Sequence, residues 1–333
     1  MNRYAIILIV PLIIACSKDE KFPSPSESEL YYSHGEVETL FQNKPNGINI
    51  LFIGDGYIQK DLQRVRSTYR NDAIKHIDYL FNSPPFSDYK EYFNAYIVYA
   101  ESNDEGPVYD TRLKSTAFGV VQGDVNPNFY NEGKLETFIK NITIHIDQNI
   151  SNTLVLLSCK NGKGGIGPKG VAIFSNTNQA TMLHEVGHSF AFLGDEYEKH
   201  PTKEMGFMAN TEFASNLDSI GDPVKIKWKH FLGLPKYERV GAYEGGGYTE
   251  KGIWRPEENS IMRESFGGKY PYFNAPSREA IVKRILELNG QSYSFDQFIL
   301  LDKIALDSIN SHLYRSKKTT QEIDCGYYDI KDD

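Results

Sequence analysis

Ile48-Asn49-Ile50-Leu51-Phe52-Ile53 is a short apolar run that closes on Gly54-Asp55-Gly56. It reads as a buried strand ended by a tight turn. Leu62, Val65, Tyr69, Ala73, Ile77 and Leu80 then recur at steps of three and four, the period of a helix with one apolar face. Ser83-Pro84-Pro85 stops it. Asn94 to Ala100 predicts a second strand, and Leu135, Phe138, Ile139, Ile142 and Ile146 mark a second helix. Thr153 to Ser158 predicts a third strand and Val171 to Phe174 a short fourth. Between them Gly162 to Gly170, with five glycines and a proline, reads as a loop. Strands alternating with helices predict an α/β domain of three layers around a sheet. Beyond residue 200 the pattern weakens. Gly241 to Gly252 is glycine-dense. Ser277 to Leu288 reads as a helix capped by Ser277, and Tyr293 to Leu301 alternates loosely, as a strand does.

The N-terminus has a different pattern. Arg3 precedes eleven apolar residues, Ala5 to Ala15. A bilayer-spanning helix needs roughly 20 residues, so this length fits a secretory signal. The run ends Ile13-Ile14-Ala15-Cys16 and resembles a bacterial lipobox, in which the cysteine becomes the acylated first residue. Residues 1–16 are therefore expected as a lipoprotein signal peptide. Residues 17–45 begin polar, with interleaved Ser and Pro, and are expected as a flexible tether. Residues 46–333 form the expected main domain. The Ser-Lys-Asp-Glu after Cys16 is similar to the acidic stretch that sends Bacteroidota lipoproteins to the cell surface. The expected location is the outer membrane, by lipid anchor, facing outward.

Composition narrows the partners. Lys and Arg number 36 against 44 Asp and Glu, a net charge of −8, which argues against nucleic acid. Aromatics at 13% mark a chain that packs a core. A mean hydropathy of −0.46 excludes a multi-span membrane protein. Three cysteines are too few for a disulfide scaffold; Cys159 and Cys325 can pair or remain free. The GKGGIG stretch within 162–167 lacks the Gly-Lys-Ser/Thr ending of a phosphate loop and is not read as one.

The chemistry lies in NQATMLHEVGHSFAFLGDEY. Asn176, Thr177 and Asn178 offer caps for a helix whose apolar face carries Leu183, Val186 and Phe190. His184 and His188 are four apart and therefore stack one turn from each other. Two imidazoles at this spacing can share one Zn²⁺ at about 2.0–2.1 Å each. Glu185 sits beside them without ligating, placed to take a proton from an activated water. A third ligand is needed. Asp195 and Glu196 both qualify, as does a carboxylate from another helix. Asp195 is favoured because Gly194 before it can end the helix at positive φ and turn the chain back.

The longer string HEVGHSFAFLGDEY resembles the zinc helix of the IgA-peptidase-like metallopeptidases, a bacterial family related to metzincins. NILFIGDGY at 49–57, PFSDYKEYFNA at 85–95 and EGGGYTEKGIWRPEENSIM at 244–262 resemble further segments of that family in the same order. The string departs from the usual metzincin spacing, which would place the third ligand at Gly194. The resemblance implies a zincin/metzincin-like fold with a mixed sheet, an active-site helix and a Met-turn. It implies His184, His188 and Asp195 as Zn²⁺ ligands, Glu185 as general acid/base and Met262 as the Met-turn. A soft Met side chain also suits an apolar floor beneath a metal. Tyr197 and Tyr248 are candidate oxyanion donors. Arg255 and Arg263 are candidates for a substrate carboxylate, with structural roles favoured.

The expected activity is zinc-dependent peptide hydrolysis, as an endopeptidase, on a protein or peptide substrate that includes host glycoproteins such as immunoglobulin. The alternatives are a catalytically silent surface binding lipoprotein and a zinc amidase acting on cell wall. The intact Glu185 speaks against the silent reading.

Overall fold

The eight residues of β2, Ile48–Asp55, are all buried. Such a strand must be covered on both faces, and its near-continuous apolar run reflects that. The computed structural model describes residues 30–109, 114–124, 127–146, 150–198, 211–264 and 269–302. Residues 1–29, with the expected signal peptide and Cys16, and residues 303–333, with Cys325, lie outside them.

The chain runs β1 (Val37–Gln42), β2, α1 (Thr68–Phe81), β3 (Phe93–Val98), β4 (Val108–Tyr109), β5 (Val121–Gln122) and β6 (Pro127–Phe129). It continues α2 (Glu132–His145), β7 (Thr153–Cys159), β8 (Gly165–Ile166), β9 (Val171–Ser175) and α3 (Gln179–Ala191). It ends with β10 (Tyr243–Gly246), β11 (Thr249–Arg255), α4 (Ala275–Leu288) and α5 (Phe295–Leu301). The main sheet has the order β1-β3-β2-β7-β9-β8. Its four inner strands are parallel, and both edge strands run antiparallel to their neighbours. The fold is thus a mixed-sheet α/β architecture.

Alternation along β2 sorts its side chains between two cores. Ile48, Ile50 and Phe52 pack with Tyr69, Ala73 and Ile77 of α1, Leu183 and Val186 of α3, and Ile281 of α4. Leu51 and Ile53 face the other way, onto Leu135, Ile139 and Ile142 of α2. Among the described residues no helix is long and apolar enough to cross a membrane.

Several expectations are corrected. The stretch expected as tether carries β1, an edge strand paired with β3 in the register Val37 to Val98. Glu38 on this strand accepts from Arg70 Nε and Nη2 and from the Tyr99 hydroxyl. Long-range partners, rather than local pattern, recruit it. The helix expected from Leu62 begins at Thr68, where Ser67 accepts from the Arg70 N–H at 3.0 Å. Leu62 ends a single 3₁₀ turn, and Val65 is exposed. The glycine loop contains β8. Asn274, not Ser277, caps α4: its Oδ1 accepts from the Ser277 N–H at 3.0 Å. Tyr293 to Leu301 is not a strand but contains α5, capped by Ser294, with Phe295 and Phe298 packed on Phe231. Positions three apart on a short helix mimic alternation when intervening residues are also apolar.

Candidate metal centre

α3 follows β9 after three residues. Asn178 caps it, its Oδ1 accepting from the N–H groups of Ala180 at 3.0 Å and Thr181 at 3.2 Å. The helix is buried on nearly all sides. Gly187 is required by packing: a Cβ there would lie 2.8 Å from Met262 Sδ and 2.9 Å from Phe273. Met262 is fully buried against this side of the helix.

His184 and His188 face each other across one turn, Nε2 to Nε2 at 2.9 Å. Each Nδ1 meets a backbone carbonyl: His184 that of Ile261 at 2.8 Å, His188 that of Leu193 at 2.6 Å. A carbonyl only accepts, so each Nδ1 carries the hydrogen and each Nε2 of a neutral ring presents a lone pair. Asp195 Oδ1 closes the set, 3.0 Å from His184 Nε2 and 3.1 Å from His188 Nε2. Three lone-pair atoms converge on one point. Four-coordinate zinc with bonds of about 2.0–2.1 Å separates its ligand atoms by roughly 3.3 Å. The three donors therefore fit a divalent cation of that size. A proton is the competing occupant: Asp195 beside His188 raises its pKa to about 9, although burial opposes it. Among the described residues this is the set of three His, Cys, Asp or Glu groups that converges so.

The helix ends differently from expectation. Phe192, not Gly194, adopts the left-handed conformation, with φ of 56°. The Phe192 and Leu193 N–H groups bond back to His188 and Gly187 carbonyls at 3.1 Å each. Gly194 serves close packing: a Cβ there would lie 2.4 Å from Leu217 Cδ1.

The choice between the two acids is made by their neighbours. Glu196 is fully buried, and its carboxylate is taken up by other partners. It accepts from Ser260 Oγ at 2.6 Å, Asn216 Nδ2 at 2.8 Å and Asn274 Nδ2 at 2.7 Å. Its N–H bonds to the Met262 carbonyl at 2.9 Å. Burial raises its pKa to about 7 against these three hydrogen bonds. Asp195 is left facing the imidazoles. No local signal marks Asn216, Ser260 or Asn274 in the sequence; they meet only in the fold.

Glu185 lies on the same helix, buried, and burial raises its pKa against the attraction of both histidines. It fits against β8 and the residue that follows because a glycine stands at each place. A Cβ on Gly165 would lie 2.6 Å from Glu185 Cγ and Oε1; one on Gly167 would lie 2.7 Å from His188 Cβ and 3.3 Å from Glu185 Oε2. Those glycines bring the edge strand against the helix.

Both tyrosines reach the site. Tyr197 Oη is 3.3 Å from His184 Nε2, and the two rings stack with centroids 5.7 Å apart. Tyr248 Oη donates to Asp195 Oδ2. The arginines do not present free guanidinium groups to a substrate. Arg255 donates to the Glu244 and Gly245 carbonyls at 2.9 and 2.7 Å, and Arg263 pairs with Glu198 at 2.7 Å.

Residues 42–237 match the family described as IgA Peptidase M64. The chain belongs to this family. IgA peptidase M64 proteins are metallopeptidases, and the match covers β2, α3 and the His184, His188 and Asp195 set. Tyr248, Ser260, Met262 and Asn274 lie beyond the matched residues. A search of curated proteins gives no match.

Proposed function

We propose that this protein is a zinc-dependent endopeptidase. The observation that carries the reading is the convergence of His184 Nε2, His188 Nε2 and Asp195 Oδ1 beside a buried Glu185. Two imidazole nitrogens and one carboxylate oxygen suit zinc, and three protein ligands leave a position for water and substrate. Bound there, zinc supplies a Lewis acid that acidifies water and polarises a peptide carbonyl. On this reading α3 is the active-site helix, the sheet and its flanking helices form a metzincin-like three-layer domain, and the turn at Ser260 to Arg263 is the Met-turn. The Ile261 carbonyl orients His184, and the Leu193 carbonyl orients His188. Glu185 takes the proton of the attacking water and returns it to the leaving nitrogen, for which its raised pKa suits it.

Extended substrate backbone has a natural seat. β8 is an edge strand of the main sheet, paired with β9 on one side and packed beside Glu185. A peptide added to its outer edge as a further strand passes the site mid-chain, which supports endopeptidase action. The substrate is a protein or peptide. Export by residues 1–16 and acylation of Cys16 would place the enzyme on the outer membrane, in reach of proteins outside the cell.

The test is to load residues 17–333 with zinc, expose them to a diverse peptide pool and to intact immunoglobulin, and read cuts by mass spectrometry. Cuts inside chains that vanish in Glu185→Ala support the reading. Absence of cuts from folded, zinc-loaded protein turns it toward a binding lipoprotein or cell-wall amidase. Cys16→Ser, with loss of acyl labelling and release from the membrane fraction, tests the anchor.

A further inference from the structure

The tip of the β10–β11 hairpin is Gly247-Tyr248, closed by the pair Gly246 and Thr249. Both central residues have positive φ, 56° and 67°. A two-residue turn of this hand requires that, and favours Asn or Gly at the second place. Tyrosine is sterically disfavoured there. The tip is nonetheless held against the segment that carries Asp195. Gly247 donates its N–H to the Asp195 carbonyl and Tyr248 to the Tyr197 carbonyl, each at 2.8 Å. From this position the Tyr248 hydroxyl donates to Asp195 Oδ2, while Oδ1 of the same carboxylate faces both imidazoles. The two oxygens of Asp195 thus have separate tasks.

We propose that Tyr248 is a positioning residue that keeps Asp195 a one-oxygen ligand. The inference rests on the metallopeptidase reading above. A carboxylate can bind a metal ion through one oxygen or two. Engagement of the second oxygen would add a ligand atom that crowds the position a catalytic zinc site keeps open, raising the coordination number above four once water is bound. The Tyr248 hydroxyl occupies Oδ2 and so reserves that position for water and the peptide carbonyl. An unfavourable backbone conformation at the residue that delivers this hydroxyl is the pattern expected of a functional constraint. The backbone turn alone would be met better by asparagine or glycine.

The full chain loaded with Co²⁺ tests this, because visible absorption by Co²⁺ weakens as its coordination number rises above four. Tyr248→Phe keeps the ring and removes the hydroxyl. It is expected to take up cobalt to the wild-type stoichiometry, absorb more weakly, and lose about 10- to 100-fold in kcat with little change in KM. Tyr248→Asn, which suits the left-handed position, is expected to melt no lower than wild type while showing the same spectral change and kcat loss. A wild-type spectrum and kcat in Tyr248→Phe would overturn the proposal. So would loss of metal and a lower melting temperature in both variants, which would mark the tyrosine as a structural prop. Wild-type protein that takes up no cobalt, or as much after His188→Ala, would overturn the metallopeptidase reading itself.

Discussion

The side-chain amide of Asn216 pairs with both backbone groups of Gly194, accepting its N–H and donating to its carbonyl, each at 2.8 Å. The second hydrogen of the same amide goes to Glu196 Oε1. Asp195 is therefore held between two clamped neighbours, and the carboxylate facing the histidines is aimed by residues that do not touch them.

Asn216→Ala should accordingly weaken the site without removing any donor of the His-His-Asp set. It leaves the half-buried Gly194 backbone groups without their side-chain partner and takes one donor from the buried Glu196, at about 1–3 kcal/mol in all. Zinc affinity should fall by about 10- to 100-fold, as for partners that orient ligands. Chelator competition and urea unfolding measure the two effects. Unchanged zinc affinity in a destabilised protein would show that the clamp serves the fold alone.

Glu185→Gln preserves size and leaves the three converging donors in place. Zinc stoichiometry should match wild type, while peptide cleavage drops by about 10²- to 10⁴-fold, the usual contribution of a general acid/base. Retained cleavage in this variant would remove Glu185 from the reaction.

Gly165→Ala tests why the glycine-rich stretch approaches the helix so closely. The new methyl would meet Glu185 Oε1 at 2.6 Å and the Ile173 carbonyl at 2.8 Å. Either β8 moves outward or Glu185 is displaced, at about 1–3 kcal/mol of stability. Cleavage should fall further than the melting temperature accounts for, with zinc still bound. Gly170→Ala, at φ of 77° with open space around it, supplies a strained comparison with no such clash.

Glu38 gives an expected pH dependence. Burial raises its pKa, but hydrogen bonds from Arg70 and Tyr99 outweigh this and leave it lowered. A carboxyl lowered on folding stabilises the fold above its unfolded pKa, about 4.3, and that stability is lost as pH falls through the folded value. The Arg70 side chain is 36% exposed, so screening limits the effect to on the order of 1 kcal/mol. Glu38→Gln should flatten the acid limb of the urea-stability profile below neutral pH. An unaltered slope would show that β1 is held by its backbone pairing with β3.

Local periodicity carried much of the architecture. The inner strands are apolar because both faces are covered, and α1 and α2 show the three-and-four recurrence of helices that cover them. The His184 and His188 spacing is equally local: four residues are one helical turn, so both rings had to share a face. Other features depend on residues distant in the chain. β1 is half-polar and becomes a strand through β3, Arg70 and Tyr99. α5 follows from the seat Phe231 provides. Asp195 and Glu196 are adjacent acids, alike in chemistry. Only the partners 20, 64 and 78 residues away, Asn216, Ser260 and Asn274, turn one carboxylate inward and leave the other to the histidines. Residue order along the chain thus determined which segments could be strands or helices and which two imidazoles could meet. The aim of each carboxylate was decided by tertiary structure, because it depends on hydrogen-bond donors that approach only when separate segments pack.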